Sequence, residues 1–208
     1  MKIVILGSHG TGKSTLANKL FHHLKNKYKL SIDNVQISGD DNGQRFKTSS
    51  FSDRNLRWKF LPDAAVDAFV KGFDINEGTP IEAEWWIIAR QLEIESLTPA
   101  PWISDKCLID LLAYARFIFT KEKDFLNMIE RVAVKNFNYD LVLYLPTGEF
   151  PIENNYIRST DEKFQKVIDE IVKDILTEYQ IPFYTIRGDV ETRFNIAKDI
   201  IEQTFSLS

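Results

Sequence analysis

Two hydrophobic periods alternate along this chain. Lys2 to Leu6 is a nearly continuous apolar run that stops at Gly7, the pattern of a strand covered on both faces. From Lys13 to Tyr28 the spacing changes, and Leu16, Leu20 and Leu24 fall on one stripe of a predicted helix. Asp63 to Phe73 places Ala64, Ala65, Ala68 and Phe69 at helical spacing, and Pro80 suits the first position of a helix running to about Leu97. Pro99 and Pro101 then interrupt the pattern. Trp102 to Ser104 reads as a short strand ending at Asp105, with helical spacing over Cys107 to Phe119 and again over Lys121 to Phe137. Leu141 to Leu145, bounded by Asp140 and Pro146, predicts another buried strand. A long helix over Ser159 to Tyr179, a last strand over Phe183 to Ile186 and a closing helix over Glu191 to Phe205 complete the series. Strands alternating with helices predict an α/β fold, a parallel sheet covered on both sides. Ser38 to Arg54 is rich in Ser, Asp, Asn and Gly and reads as loop.

Composition narrows the picture. A chain of 208 residues that is 44% hydrophobic buries one sizeable core, so a single domain over 1–208 is expected. The net charge of −4 and pI near 5.5 supply no basic face for duplex binding, which disfavours nucleic acid as partner. Cys107 is the only cysteine, so no intramolecular disulfide forms, and no Cys/His cluster has metal-ligand spacing. That usage suits a reducing cytoplasm. The longest apolar runs, such as Trp85 to Ala89, are too short to span a bilayer, and Met1 to Leu6 leads into glycines rather than a cleavage site. The sequence leaves oligomeric state open, a homodimer included.

The first turn carries chemistry. Gly7-Ser8-His9-Gly10-Thr11-Gly12-Lys13-Ser14 is a glycine, four residues, then Gly-Lys-Ser, between a predicted strand and helix. Glycines let the backbone curl so that successive N–H groups converge, and the helix adds the positive end of its dipole. Gly7, Gly10, Thr11, Gly12, Lys13, Ser14 and Thr15 are therefore the candidate nucleotide-binding residues, for ATP or a related nucleotide. Lys13 is expected to reach the β and γ phosphates from a solvated position, and the Ser14 hydroxyl to ligate Mg²⁺. His9 reads as a solvent-facing filler of the loop.

The remaining chain selects among users of such a cradle. No Asn-Lys-x-Asp segment marks a GTPase switch, and Asp40-Asp41-Asn42-Gly43 is too short a pattern to carry that reading. No long apolar strand ends in Asp-Glu, as a ring or transport ATPase requires. The cradle, Phe60-Leu61-Pro62-Asp63-Ala64-Ala65, Ile103-Ser104-Asp105-Lys106 with Leu108 to Ala115, and Tyr156-Ile157-Arg158-Ser159-Thr160 together resemble the P-loop kinases that include deoxynucleoside, thymidylate and ribosylnicotinamide kinases. The likeness is greatest to compact members labelled AAA-like ATPases.

That resemblance implies a three-layer P-loop kinase fold with a helical lid near 147–165, using ATP and Mg²⁺ to phosphorylate a nucleoside or nucleotide. It places the acceptor cleft between the Asp63 and Asp105 segments. It makes Asp63 the carboxylate facing the acceptor hydroxyl, although capping of the next helix explains the residue equally well. Asp105 is implied to hold Mg²⁺ through water, with an N-cap for the helix near Cys107 as the alternative. Asp105-Lys106 stands where the group usually has Asp-Arg, and lysine keeps the charge without the planar fork. Val66 replaces an arginine found in many relatives. Arg158 is implied to be the lid arginine or else an ordinary surface residue. Arg193 lies where relatives hold the adenine, and a helix-surface salt bridge explains it as well. Of the adjacent Trp85 and Trp86, one is expected to face the cleft or a partner. Two other readings stay open: a kinase acting on a base or end in polynucleotide, and an ATP-binding switch.

Overall fold

A computed structural model describes residues 1–28, 57–75, 78–150 and 161–205. The polar stretch Ser38 to Arg54 and the segment carrying Arg158 lie outside the described residues, as does most of the expected lid. In chain order the elements are β1 (Lys2–Leu6), α1 (Lys13–Lys27), β2 (Lys59–Leu61), α2 (Ala64–Val70), α3 (Ile81–Leu97), β3 (Trp102–Ser104), α4 (Leu108–Ile118), α5 (Lys123–Lys135), β4 (Leu141–Tyr144), α6 (Glu162–Glu178), β5 (Tyr184–Thr185) and α7 (Val190–Phe205).

Among the described residues five strands form one sheet, all parallel, in the order β2-β3-β1-β4-β5. β1 lies at the centre and is paired on both sides, Val4 with Ser104 of β3 and Leu6 with Tyr144 of β4. Its side chains alternate between the faces, and each face builds its own core. Val4 and Leu6 pack with residues of α3, α4, α5 and α6, while Ile3 and Ile5 pack with Leu16, Leu20 and Leu24 of α1 and Ala197 and Ile201 of α7. Both faces being covered explains why these strands read as continuous apolar runs.

Helix ends follow their capping chemistry. Asp63 caps α2 by accepting a hydrogen bond from Ala65 N, and Asp161 caps α6 by accepting from Lys163 N and Phe164 N. Pro80 is the N-cap of α3 rather than its first helical residue. Because parallel strands end at the same edge, Gly7, Asp63 and Asp105 follow the carboxyl ends of three adjacent strands, where α/β sheets bind ligands.

Candidate active site

Gly7 begins the cradle with φ +141, and a Cβ there would lie 2.3 Å from the Leu145 carbonyl oxygen of the neighbouring strand end. Only glycine fits. Gly12 is the N-cap of α1 in the left-handed region, with no capping side chain and no acidic residue in the first turn. The first turn of α1, at the positive end of the helix dipole, is therefore suited to an anion. Ser14 is half-buried and Thr15 exposed on that first turn.

Lys13 is 4% exposed, and its ammonium donates to Ser8 O at 2.7 Å, beside the Thr11 hydroxyl donating to the same oxygen at 3.0 Å. This corrects the solvated lysine expected from sequence: the loop closes around the ammonium and holds it inward. His9 is also buried. Its ring packs 5.4 Å from Phe164, its Nδ1 lies 3.2 Å from Tyr114 Oη, and its carbonyl accepts from Gln165 Nε2 at 2.7 Å. The solvent-facing reading of His9 is therefore wrong, because α6 and α4 fold over that side of the loop.

Two buried charges brace the cradle from either side. Asp110 is fully buried on α4 and accepts from Gly7 N at 3.3 Å and from Cys107 N at 3.1 Å. Burial raises its carboxyl above the usual range, while Lys106 and Lys13 pull it back. Arg193 of α7 is 2% exposed, so it is no surface salt bridge. Its guanidinium donates to Thr11 O at 2.6 Å and to Glu149 Oε2 at 2.8 Å, and lies 4.5 Å from the Phe150 ring centroid.

A cleft opens beside the cradle, lined by Lys13 and His9 together with Asp63, Lys106, Glu84 and Tyr114. Asp63 both caps α2, accepting from Ala65 N at 2.9 Å, and lines the cleft. Asp105 is buried directly after β3 and is not the cap of α4, a place taken by Cys107 with Asp110 completing the capping box. Lys106 reaches the cleft with its ammonium 4.2 Å from the Tyr114 ring centroid, a cation–π geometry. Val66 contributes apolar wall where an arginine is absent. Neither Trp85 nor Trp86 is among the lining residues: Trp85 is 44% exposed, and Trp86 packs on Phe73. Among the described residues, no three His, Cys, Asp or Glu side chains cluster to hold a metal ion. Ser14 carries a hydroxyl and Asp105 a carboxylate, oxygen donors of the kind that would suit Mg²⁺ if phosphates and water completed its shell.

Sequence reading missed Asp110 and Glu84. An acidic residue three positions after the N-cap was the available sign for Asp110. For Glu84 the sign was its place on the stripe continued by Ile87, Ile88 and Gln91, all buried. A carboxyl on a core-facing stripe calls for a reason.

The profile of the family described as AAA domain matches residues 46–193, a span that begins after the cradle. No curated protein matches the sequence. Among solved structures, a NadR protein in complex with NAD and AMP-PNP superposes with a TM-score of 0.70 at 15% identity, covering 100% of this chain and 50% of that one. The chain thus spans half of that protein's length. A deoxyadenosine kinase from M. mycoides with bound dATP gives a TM-score of 0.65 at 14% identity, covering 97% of this chain and 99% of its own. A thymidylate kinase from Ehrlichia chaffeensis gives 0.60 at 13% identity, with coverages of 97% and 98%. At such identities the superpositions speak for the fold, and the family match extends over most of the sequence: this chain belongs to the AAA domain family and carries the fold of the P-loop nucleoside and nucleotide kinases.

Proposed function

We propose that the chain is an ATP-dependent kinase that transfers the γ-phosphoryl group to a hydroxyl of a nucleoside. The observation that carries this reading is the shared cleft, in which the cradle's Lys13 and the Asp63 carboxylate line one space. The cradle N–H groups and Lys13 hold the phosphates of ATP, and Asp63 accepts the proton of the acceptor hydroxyl as its oxygen bonds to phosphorus and ADP leaves. Lys106 contributes positive charge on the acceptor side. Mg²⁺, held by Ser14 and through water by Asp105, would neutralise charge on the phosphate oxygens. Arg158 is proposed as the arginine that closes over the transferring group. The fold neighbours named as kinases support the reaction class.

Incubation with ATP and Mg²⁺ against ribo- and deoxynucleosides, their monophosphates, ribosylnicotinamide and short oligonucleotides, with product analysis, tests the reading. A phosphorylated nucleoside is expected. Inorganic phosphate alone would make the protein a hydrolysing switch, and a labelled oligonucleotide would move the acceptor to polynucleotide.

A further inference from the structure

We infer that Glu84 is the residue that selects the acceptor, by receiving N–H groups at the edge of a nucleobase that carries an exocyclic amino group. This inference rests on the kinase reading above and adds the chemistry of the acceptor to it.

Glu84 stands in the first turn of α3, 3% exposed, and it lines the cleft that Lys13 and Asp63 share. Its Oε1 is buried and accepts no hydrogen bond from the described residues. A buried carboxyl oxygen without a donor is expensive, since it loses water and regains nothing. The nearest compensation is electrostatic. Lys106 draws the Glu84 carboxyl down, yet burial wins and pushes it up to about 7. Lys106 stacks its ammonium on the Tyr114 ring, so its charge steadies Glu84 without filling the acceptor position. None of the described residues donates to Oε1, and that donor is assigned to what enters the cleft.

The rest of the lining narrows that donor. Val66, Ile75, Ile87 and Leu111 present apolar surface in the same cleft, which suits the faces of a flat ring and not a hydrated chain. A ring lying against apolar walls with an amino group at its edge meets both conditions. Asp63 and Lys13 line the same cleft and are assigned to the hydroxyl and the phosphoryl group, so recognition and transfer fall to different residues.

The test compares adenosine and cytidine with their N,N-dimethyl analogues, which keep the ring and lose the amino N–H donors. With full-length protein, ATP and Mg²⁺, kcat/KM should fall about 10²-fold or more on dimethylation, because a site built around a hydrogen bond rejects the ligand lacking it. In Glu84→Leu that ratio should shrink to a few-fold at most. In Glu84→Gln, whose amide oxygen still accepts, it should stay within about tenfold of the parent. Equal discrimination by Glu84→Leu and the parent overturns the inference. Should Glu84→Leu fail to fold, equal use of the amino and dimethylated nucleosides by the parent overturns it alone. If the parent phosphorylates no nucleoside at all, the kinase reading fails first and this one with it.

Discussion

Buried ionisable side chains concentrate the chemistry of this protein. Lys13 is the clearest case. Its ammonium, held against Ser8 O, is already placed inside the loop that curls around it. Lys13→Ala should abolish most ATP turnover and, because the Ser8 carbonyl then keeps only the Thr11 hydroxyl as donor, lower stability by no more than about 1 kcal/mol. Unchanged turnover in a folded variant would rule the cradle out. Glu84 and Glu95 give a second, acid–base signature. Burial raises both carboxyls from 4.5 to about 7, with Lys106 opposing the rise at Glu84, and Gln91 and Tyr139 opposing it at Glu95. An acid with a raised folded pKa takes up a proton on folding, so its favourable contribution is complete below about 4.5 and lost as pH climbs through about 7. A shift of that size is worth about 3 kcal/mol per group. The melting temperature should therefore fall between those pH values, and Glu84→Gln should flatten the fall. A variant that tracks the parent profile would show that Glu84 ionises normally. The sequence revealed Lys13 through its motif, while Glu84 was marked only by the apolar stripe it shares with Ile87 and Ile88, and nothing in the tie of Glu95 to Tyr139 is local enough for a pattern to show.

Among the elements, long helices and inner strands were legible because their periods are strong: β1 and β3 were read to the residue, and α1 and α3 to within one or two positions. β2 was not read from periodicity. Lys59, Phe60 and Leu61 are too few to show a period, and the strand exists because β3 offers it hydrogen bonds, with Leu61 in register with Ser104. The junctions between elements depend on polar ties at long sequence separation, which no local pattern carries. One such tie sits under the β3–α4 turn. Tyr139 Oη donates to Glu95 Oε2 at 2.8 Å and accepts from Leu108 N at 3.2 Å, while Gln91 Nε2 donates to Glu95 Oε1 at 2.9 Å and to Lys106 O at 3.1 Å. The network fixes the backbone from which Lys106 enters the cleft. Tyr139→Phe removes the donor to Glu95 and the acceptor of Leu108 N together, and should cost about 1–3 kcal/mol by chemical denaturation. A loss within error would mean that water replaces the hydroxyl. Arg193 makes the matching tie on the other side, joining α7 to Thr11 O of the cradle and to Glu149. Arg193→Ala should weaken nucleotide affinity, measured by fluorescent nucleotide titration, and, because it removes the buried donor to Thr11 O and Glu149, should also lower stability by about 1–3 kcal/mol. A large stability loss with intact affinity would make Arg193 a packing residue only.

At the scale of the molecule, the strand order decides which chemistry meets. β2, β3 and β1 are adjacent, and their carboxyl ends deliver Asp63, Lys106 and the cradle to one cleft although they lie far apart in sequence. Periodicity predicts that a parallel sheet exists but not its order, so Asp63 was placed at the cleft only through resemblance. The convergence permits a test of what the acceptor is. If Asp63 takes the proton of a hydroxyl, Asp63→Asn keeps the size and the cap of α2 but accepts no proton, and transfer should drop about 10²-fold or more with little change in ATP affinity. A monophosphate presents an oxygen already ionised, and needs no base. With such an acceptor the same substitution removes a negative charge facing an anion, so binding should be unharmed or improved. Lys106 supplies the opposite arm. Its ammonium is committed to the Tyr114 face and sits near Glu84 and Asp110, and it lacks the planar fork that grips two phosphate oxygens at once. Lys106→Ala should damage monophosphate binding most if the acceptor carries a phosphate; with a nucleoside acceptor the loss should be smaller and act through Glu84, which Lys106 steadies. Val66, apolar where a phosphate-gripping arginine would serve, favours the nucleoside. Preferential phosphorylation of monophosphates, with Asp63→Asn nearly as active as the parent, would reverse that choice and assign the cleft to an anionic acceptor.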